Sequence, residues 1–370
     1  MKTSPRDIKL LLKKLKKLDL LLPLNAFCIV AIGIVTIYSA TYTRTNIFYN
    51  KQIMWLALSV PVFIVFSLID YRIYSKYTKL IYVANLVFLS SVFILGTKVL
   101  GATRWIKIGP LSIQPSEFAK LFVVLTLCEL LVNGFKDNFW GFKAILKTFI
   151  HIVPAFLLIA KQPDLGTSLV IIFICMILIF LNGIDIKTYL SICLTGILSM
   201  PLVYFVFLKD YQKQRILTFL NPEADILGSG WNVIQSMIAV GSGGLTGKGL
   251  LNGTQNKLKF LPESHTDFIY AVLTEETGFL GGFLVLFLYT ILLFSIIKIG
   301  QKCEDRYGQL ICYGIAIILF FHTIVNIGMV IGVMPVTGLP LLLMNYGGTS
   351  LVFVFTMLGI VESVRIYGNK

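Results

Sequence analysis

Acidic residues, histidines and paired cysteines are scarce in this chain, and each shortage removes a class of reading. Six cysteines (Cys28, Cys128, Cys175, Cys193, Cys303 and Cys312) lie scattered, mostly inside apolar runs, with no C-x-x-C pair and only three histidines beside them. That spacing argues against a disulfide framework and against a zinc site. The 32 Lys and Arg outnumber the 18 Asp and Glu, for a formal charge of +14. Such an excess invites a nucleic-acid reading, but the basic residues sit in short segments between apolar runs without an aromatic-interleaved basic face, so no nucleic-acid partner is expected. No internal repeat or low-complexity tract is found, and no small-residue cleavage signature follows the lysines Lys13, Lys14, Lys16 and Lys17. Residues 1–20 therefore read as a basic cytoplasmic segment ahead of a retained first helix.

What the chain has is apolar sequence. It is 56% hydrophobic with a mean hydropathy of +0.84, against roughly 45–50% apolar for soluble domains. Runs near membrane-spanning length cover 21–40, 53–69, 79–98, 116–132, 148–160, 165–182, 188–208, 269–297, 309–331 and 341–364. A helix needs about 20 residues to cross a bilayer core, so the short fifth run and the sixth read as a hairpin broken around Lys161 to Asp164. The expected class is an all-α integral membrane protein: a polytopic bundle of about ten transmembrane helices in one domain over 21–370. A large extracytoplasmic loop, 209–268, joins helices seven and eight. With the N-terminus inside, the short cytoplasmic segments hold 19 Lys and Arg against 12 outside, six of those in the long loop. Long loops escape the positive-inside bias, so both termini are expected in the cytoplasm. The loop carries Trp231, Ile234, Met237, Ile238, Leu250 and Phe260, enough apolar surface to pack back onto the membrane domain.

Ionisable groups near bilayer depth mark function by default, and four places hold them. Glu117 and Lys120 open a helix after the loop 101–115, which contains Arg104 and Trp105. Their spacing of three allows a self-neutralising pair as well as a working one. Asp164, in KQPDLGT, sits beside a Pro/Gly break and reads equally as a helix cap. GSGGLTGKG at 241–249 departs from the phosphate-loop pattern at Ser242 and Gly249, which favours tight turns over a phosphate cradle. The sharpest cluster is Glu263, Ser264, His265, Thr266 and Asp267, directly before an apolar run. Asp267 could cap the helix starting at Phe268 or act in catalysis, and the sequence alone divides the two evenly.

Six ordered segments resemble the shape, elongation, division and sporulation (SEDS) family of membrane proteins: RWIKIGPLSIQPSEFAK at 104–120, KQPDLGTSLV at 161–170, RILTFLNPEAD at 215–225, QSMIAVGSGGLTGKG at 235–249, FLPESHTDFIYAV at 260–272 and NIGMVIGVMPVTGLP at 326–340. The elongation member is a closer match than the division member. Leu342, Asn345, Thr274 and Thr277 depart from the family pattern. The resemblance implies a peptidoglycan glycosyltransferase of the inner membrane that polymerises lipid II on the outer face. Its implied partners are a class B penicillin-binding transpeptidase, other elongation-complex proteins and membrane lipids. It also implies Asp267 as general base, with Lys120 as its charge partner. Arg104, Lys120 and Arg215 would meet the pyrophosphate, with Trp105, Glu117, Asp164, Glu263, His265 and Thr266 around the substrate. Arginine suits bidentate phosphate contacts, and a pyrophosphate leaving group needs no second carboxylic acid, in contrast to glycosidases. A divalent cation, Mg2+ or Mn2+, would also neutralise it, although the sequence has no dedicated ligand cluster. The competing readings are a lipid II flippase, which the lack of a repeat disfavours, a division paralogue of the same enzyme class, and a non-catalytic scaffold.

Overall fold

The computed structural model describes residues 20–42, 47–99, 102–109, 111–133, 142–225, 229–258 and 260–368. The basic segment read over 1–20 lies outside these residues but for Leu20. Among the described residues ten helices of 17 residues or more follow the ten apolar runs: α1 (Leu21–Thr41), α2 (Ile47–Leu68), α3 (Thr78–Leu95), α4 (Pro115–Asn133), α5 (Phe142–Lys161), α6 (Leu165–Leu181), α7 (Ile186–Leu202), α10 (Ile269–Lys302), α11 (Arg306–Val330) and α12 (Gly348–Gly368). Two further helices, α8 (Asp210–Leu220) and α9 (Ser229–Ser242), fold the long loop. Seven of the ten are long and apolar enough to cross a membrane by length and composition. The molecule is a polytopic membrane bundle.

The layering follows which faces are buried. α12 is 89% buried and α11 78% buried, whereas none of α7 is, so α11 and α12 are central and α7 is peripheral. Lipid tails are as apolar as leucine, so helices in a membrane associate through close packing at small residues. Gly359 on α12 shows this, because an added Cβ would come within 2.8 Å of the Phe63 carbonyl on α2.

Two apolar runs depart from the helical expectation. The third stops at Leu95, and Gly96–Val99 (β1), Ala102–Ile108 (β2) and Leu111–Ile113 (β3) form an antiparallel meander. The loop expected over 101–115 is thus mostly strand: TRWIKI alternates, and Gly109 (φ +60) turns the chain. The tenth run enters the helix only at Gly348. Before it, residues from Val333 to Gly347 are non-helical, although Leu339 and Leu341 to Met344 are buried. Non-helical backbone is tolerated at membrane depth only when protein satisfies its polar groups. Here Asn326 Nδ2 donates to the Leu339 carbonyl (2.8 Å), Tyr289 Oη to that of Leu342 and Gln52 Nε2 to that of Asn345 (3.2 Å), while the Tyr346 amide donates to the His265 carbonyl (2.9 Å).

Candidate active site

The site gathers where the start of α10 meets the partly buried non-helical stretch 333–347, the re-entrant segment. A tight turn precedes α10, in which the Thr266 amide and hydroxyl donate to the Glu263 carbonyl at 3.1 and 3.2 Å, and Glu263 takes the left-handed φ of +49. The N-cap position falls to Phe268, without a side-chain bond. Asp267 is therefore no helix cap. Among the described residues no donor bonds its half-buried carboxyl, which keeps its acceptor capacity unspent. Desolvation pushes its pKa from 3.8 up to about 6, Glu263 adds to the rise, and Arg215 and then Arg104 oppose it.

Four successive residues of the re-entrant segment hold this place together. The Thr337 carbonyl accepts from Arg215 (3.2 Å). Gly338, with φ +75, lies so near that a Cβ there would be 3.6 Å from Asp267 Oδ2. The Leu339 carbonyl accepts from Asn326, whose same amide nitrogen also donates to the Asp267 carbonyl (2.9 Å). The Pro340 carbonyl faces His322 Nδ1 at 3.0 Å. A carbonyl only accepts, so Nδ1 carries the proton, and Nε2 is left to accept from Lys120 Nζ at 2.7 Å.

The cations divide into two groups. Arg104 donates through Nε to the Gln162 carbonyl (3.0 Å) and through a terminal nitrogen to that of Pro163, and it stands 3.9 Å from Asp164. Asp164 caps α6 by accepting from the Thr167 amide (3.3 Å), and its other oxygen accepts from Ser116 and Gln114 at 3.2 Å each. The cap reading of Asp164 thus holds together with a place among the site charges. Burial and Arg104 lower the pKa of Arg215, with Asp267 and Asp164 opposing. Lys120 is fully buried and pairs with Glu117 (3.0 Å) and His322. Among the described residues no bond joins Lys120 to Asp267, the partner expected of it; Lys120 bonds His322 and Glu117, and Arg215 and Arg104 act on the Asp267 charge.

Three other expected residues serve the frame. His265 packs its ring on Phe48 and Tyr346 (centroids 4.6 and 5.8 Å), Thr266 bonds Glu263, and the Trp105 carbonyl receives Thr97 Oγ1 in the sheet (3.1 Å). The GSGGLTGKG turns spend their amides on α10: Lys248 N donates to the Glu275 carbonyl (3.0 Å) and Gly249 N to that of Glu276 (2.9 Å). Asn326 and His322 were missed, since one polar residue within an apolar run gives no spacing signal. Among the described residues no three His, Cys, Asp or Glu side chains converge as metal ligands.

A carboxylate of raised proton affinity, acted on by two guanidinium groups within a polytopic membrane bundle, has the make-up of a membrane enzyme's site. The FtsW/RodA/SpoVE model, described as cell cycle protein, matches residues 19–370. The chain belongs to this family. It is 38% identical over 321 residues to the peptidoglycan glycosyltransferase MrdB of Escherichia coli K12, covering 86% of this chain and 85% of that protein. Among solved structures, a chain from a peptidoglycan synthase complex that coordinates polymerization and crosslinking superposes with a TM-score of 0.82 at 32% identity, covering 95% of this chain and 99% of that one. The rod shape determining protein RodA of Thermus thermophilus gives 0.72 at 28%, covering 95% and 98%.

Proposed function

We propose that this chain is a peptidoglycan glycosyltransferase of the RodA type, which polymerises lipid II into glycan strands for cell elongation and rod shape, with Asp267 as general base. The observation that carries the chemistry is the Asp267 carboxyl: bonded by no donor among the described residues, raised by desolvation to a pKa of about 6 and opposed in that rise by Arg215 and Arg104. The family and the named activity of MrdB support the substrate class.

In the reaction the 4-hydroxyl of an incoming lipid-linked disaccharide attacks the anomeric carbon of the growing strand. The new C–O bond forms as the bond to undecaprenyl pyrophosphate breaks, with inversion, and the hydroxyl proton passes to Asp267. A base is most effective with a pKa near the working pH, and a carboxylate at about 6 is a stronger base than a free aspartate. Arg104 and Arg215 neutralise the departing pyrophosphate, which therefore needs no proton donor. Lys120, with Glu117 and His322, keeps the Pro340 end of the re-entrant segment in place behind Asp267.

The chain sits in the bacterial inner membrane with both termini cytoplasmic and Asp267 on the outer face, a reading supported by its Lys/Arg distribution. It works with a class B penicillin-binding transpeptidase and other elongation-complex proteins; the resemblance to a chain of a polymerization and crosslinking complex supports the first of these. The test is polymerisation of purified lipid II by this protein with its cognate transpeptidase, against Asp267→Asn after folding and partner binding are verified. Polymer from the wild type alone supports the reading, polymer from both removes Asp267 as base, and polymer from neither shifts the reading to a flippase or scaffold.

A further inference from the structure

At the end of α10 farthest from Asp267 lies a groove unrelated to the candidate active site. α10 breaks at Gly278 (φ +69), and the stretch from Phe279 to Lys302 beyond it, about 36 Å at 1.5 Å per residue, is long enough to cross a hydrocarbon core of about 30 Å, so its last turns reach the opposite membrane boundary. There the C-terminal half of α10, the first residue of α1 and the last turn of α12 enclose a cavity of about 660 Å³. Within the range of about 300–1,000 Å³ usual for small-molecule sites, this one is amphipathic along its length. Phe287, Ile291 and Phe294 line the part nearer the membrane interior, and Lys298, Lys302 and Arg365 line the end at the boundary.

We propose that this groove binds one anionic diacyl phospholipid of the cytoplasmic leaflet, with the headgroup phosphate at Lys298, Lys302 and Arg365 and an acyl chain along Phe287, Ile291 and Phe294. The leaflet assignment rests on the topology given under Proposed function. The argument is complementarity on both counts. Phe287 and Phe294 are 53% and 67% exposed, so they face acyl chains, and three cations at one end favour an anion there. Arg365 lies 3.6 Å from the fully buried Glu362, which fixes the guanidinium in the groove wall, and among the described residues no carboxylate pairs with Lys298 or Lys302. By sequence, residues 1–19 carry seven Lys and Arg against two Asp and so offer little negative charge to set against this basic end. Long basic side chains at a helix end reach the interface by snorkelling wherever they are; a groove continuous with an apolar floor adds selectivity for a headgroup that carries its own tails.

The experiment is native mass spectrometry of the full-length protein in detergent, titrated separately with phosphatidylglycerol, phosphatidylcholine and glycerol 3-phosphate. Retention of one phosphatidylglycerol about tenfold or more above phosphatidylcholine is expected from the contribution of each basic residue near anionic lipid, with that preference lost in Lys298→Gln/Lys302→Gln and with glycerol 3-phosphate failing to compete. Thr290→Trp, which fills the apolar floor and keeps every charge, should weaken phosphatidylglycerol retention as well, and it serves as the test if the double variant does not fold. Equal retention of both lipids, an unchanged preference in the double variant, or effective competition by glycerol 3-phosphate would each overturn the proposal. Because the groove is remote from Asp267, loss of lipid retention with intact polymerisation distinguishes it from a failure of the enzymatic reading.

Discussion

Asp267 combines two demands that oppose each other: a base needs its proton affinity raised, and a folded protein is destabilised by a desolvated charge. With its pKa up from 3.8 to about 6, the carboxyl must be ionised to accept a proton. The rate should therefore fall on the acid side with a midpoint near pH 6 and be level above it, as a pH profile of lipid II polymerisation will read. Asp267→Asn should lower the rate about 100-fold or more. Its stability should move the other way. Below pH 3.8 both folded and unfolded states are protonated and the site costs nothing; as pH rises through 6 the folded state must ionise a group that the unfolded chain ionises more readily. The Asn variant should thus gain stability over wild type between pH 4 and 7, by at most about 3 kcal/mol, measurable by thermal unfolding at the two pH values. The sequence could place Asp267 before α10 but could not separate cap from base, because that depends on whether the helix starts at 268 or 269 and on which cations face the carboxyl.

At the scale of elements, the re-entrant segment ties the site to the buried charges. Lys120 holds Glu117 and, through His322, Pro340, so Lys120→Met leaves a buried carboxylate without its cation. Breaking such a pair by removing one partner costs about 3–5 kcal/mol, which should appear as a lowered unfolding temperature in detergent, while Lys120→Met/Glu117→Gln should recover a good part of it. A second strap joins the glycine-rich turns to α10. Glu275, nearly fully buried, accepts from Lys248 Nζ (2.7 Å) and from the amide and hydroxyl of Thr254 (2.8 and 2.9 Å). Gly247, at φ +80, would drive a Cβ within 2.1 Å of the Glu276 carbonyl. Gly247→Ala should therefore detach these turns, and limited proteolysis should cut 241–258 faster in the variant than in wild type. The Glu117–Lys120 pair was legible because helical spacing alone brings i and i+3 together. The meander at 96–113 was less so: its strands are three to seven residues long and border a helix of the same apolar composition. The re-entrant segment was hidden for a related reason, since LLLM at 341–344 reads as the start of a helix until the Leu342 carbonyl is seen bonded by Tyr289 of another helix.

At the scale of the whole molecule, hydropathy made the bundle legible because the bilayer demands satisfied backbone over a fixed thickness, and helices meet that demand within each run. Which helices are central is a property of packing, and hydropathy misleads there: α7, with a mean hydropathy of 2.1 over its window, is wholly peripheral, whereas α12, at 1.6, is 89% buried. The helix carrying Glu362 and Ser363, both fully buried, must face protein, whereas apolarity alone ranks nothing: α11, at 2.2, is more apolar than α7 and yet 78% buried. The same reasoning gives the topology a direct test. Glu223, exposed in the long loop, and Glu304, exposed between α10 and α11, are placed by the Lys/Arg asymmetry on opposite sides of the membrane. With the six native cysteines replaced, Glu223→Cys should react with a membrane-impermeant maleimide in intact spheroplasts, and Glu304→Cys only after permeabilisation. The reverse pattern would put Asp267 in the cytoplasm and remove the outer-face reaction; labelling of both before permeabilisation would mean that α10, the helix read as crossing between the two positions, does not cross.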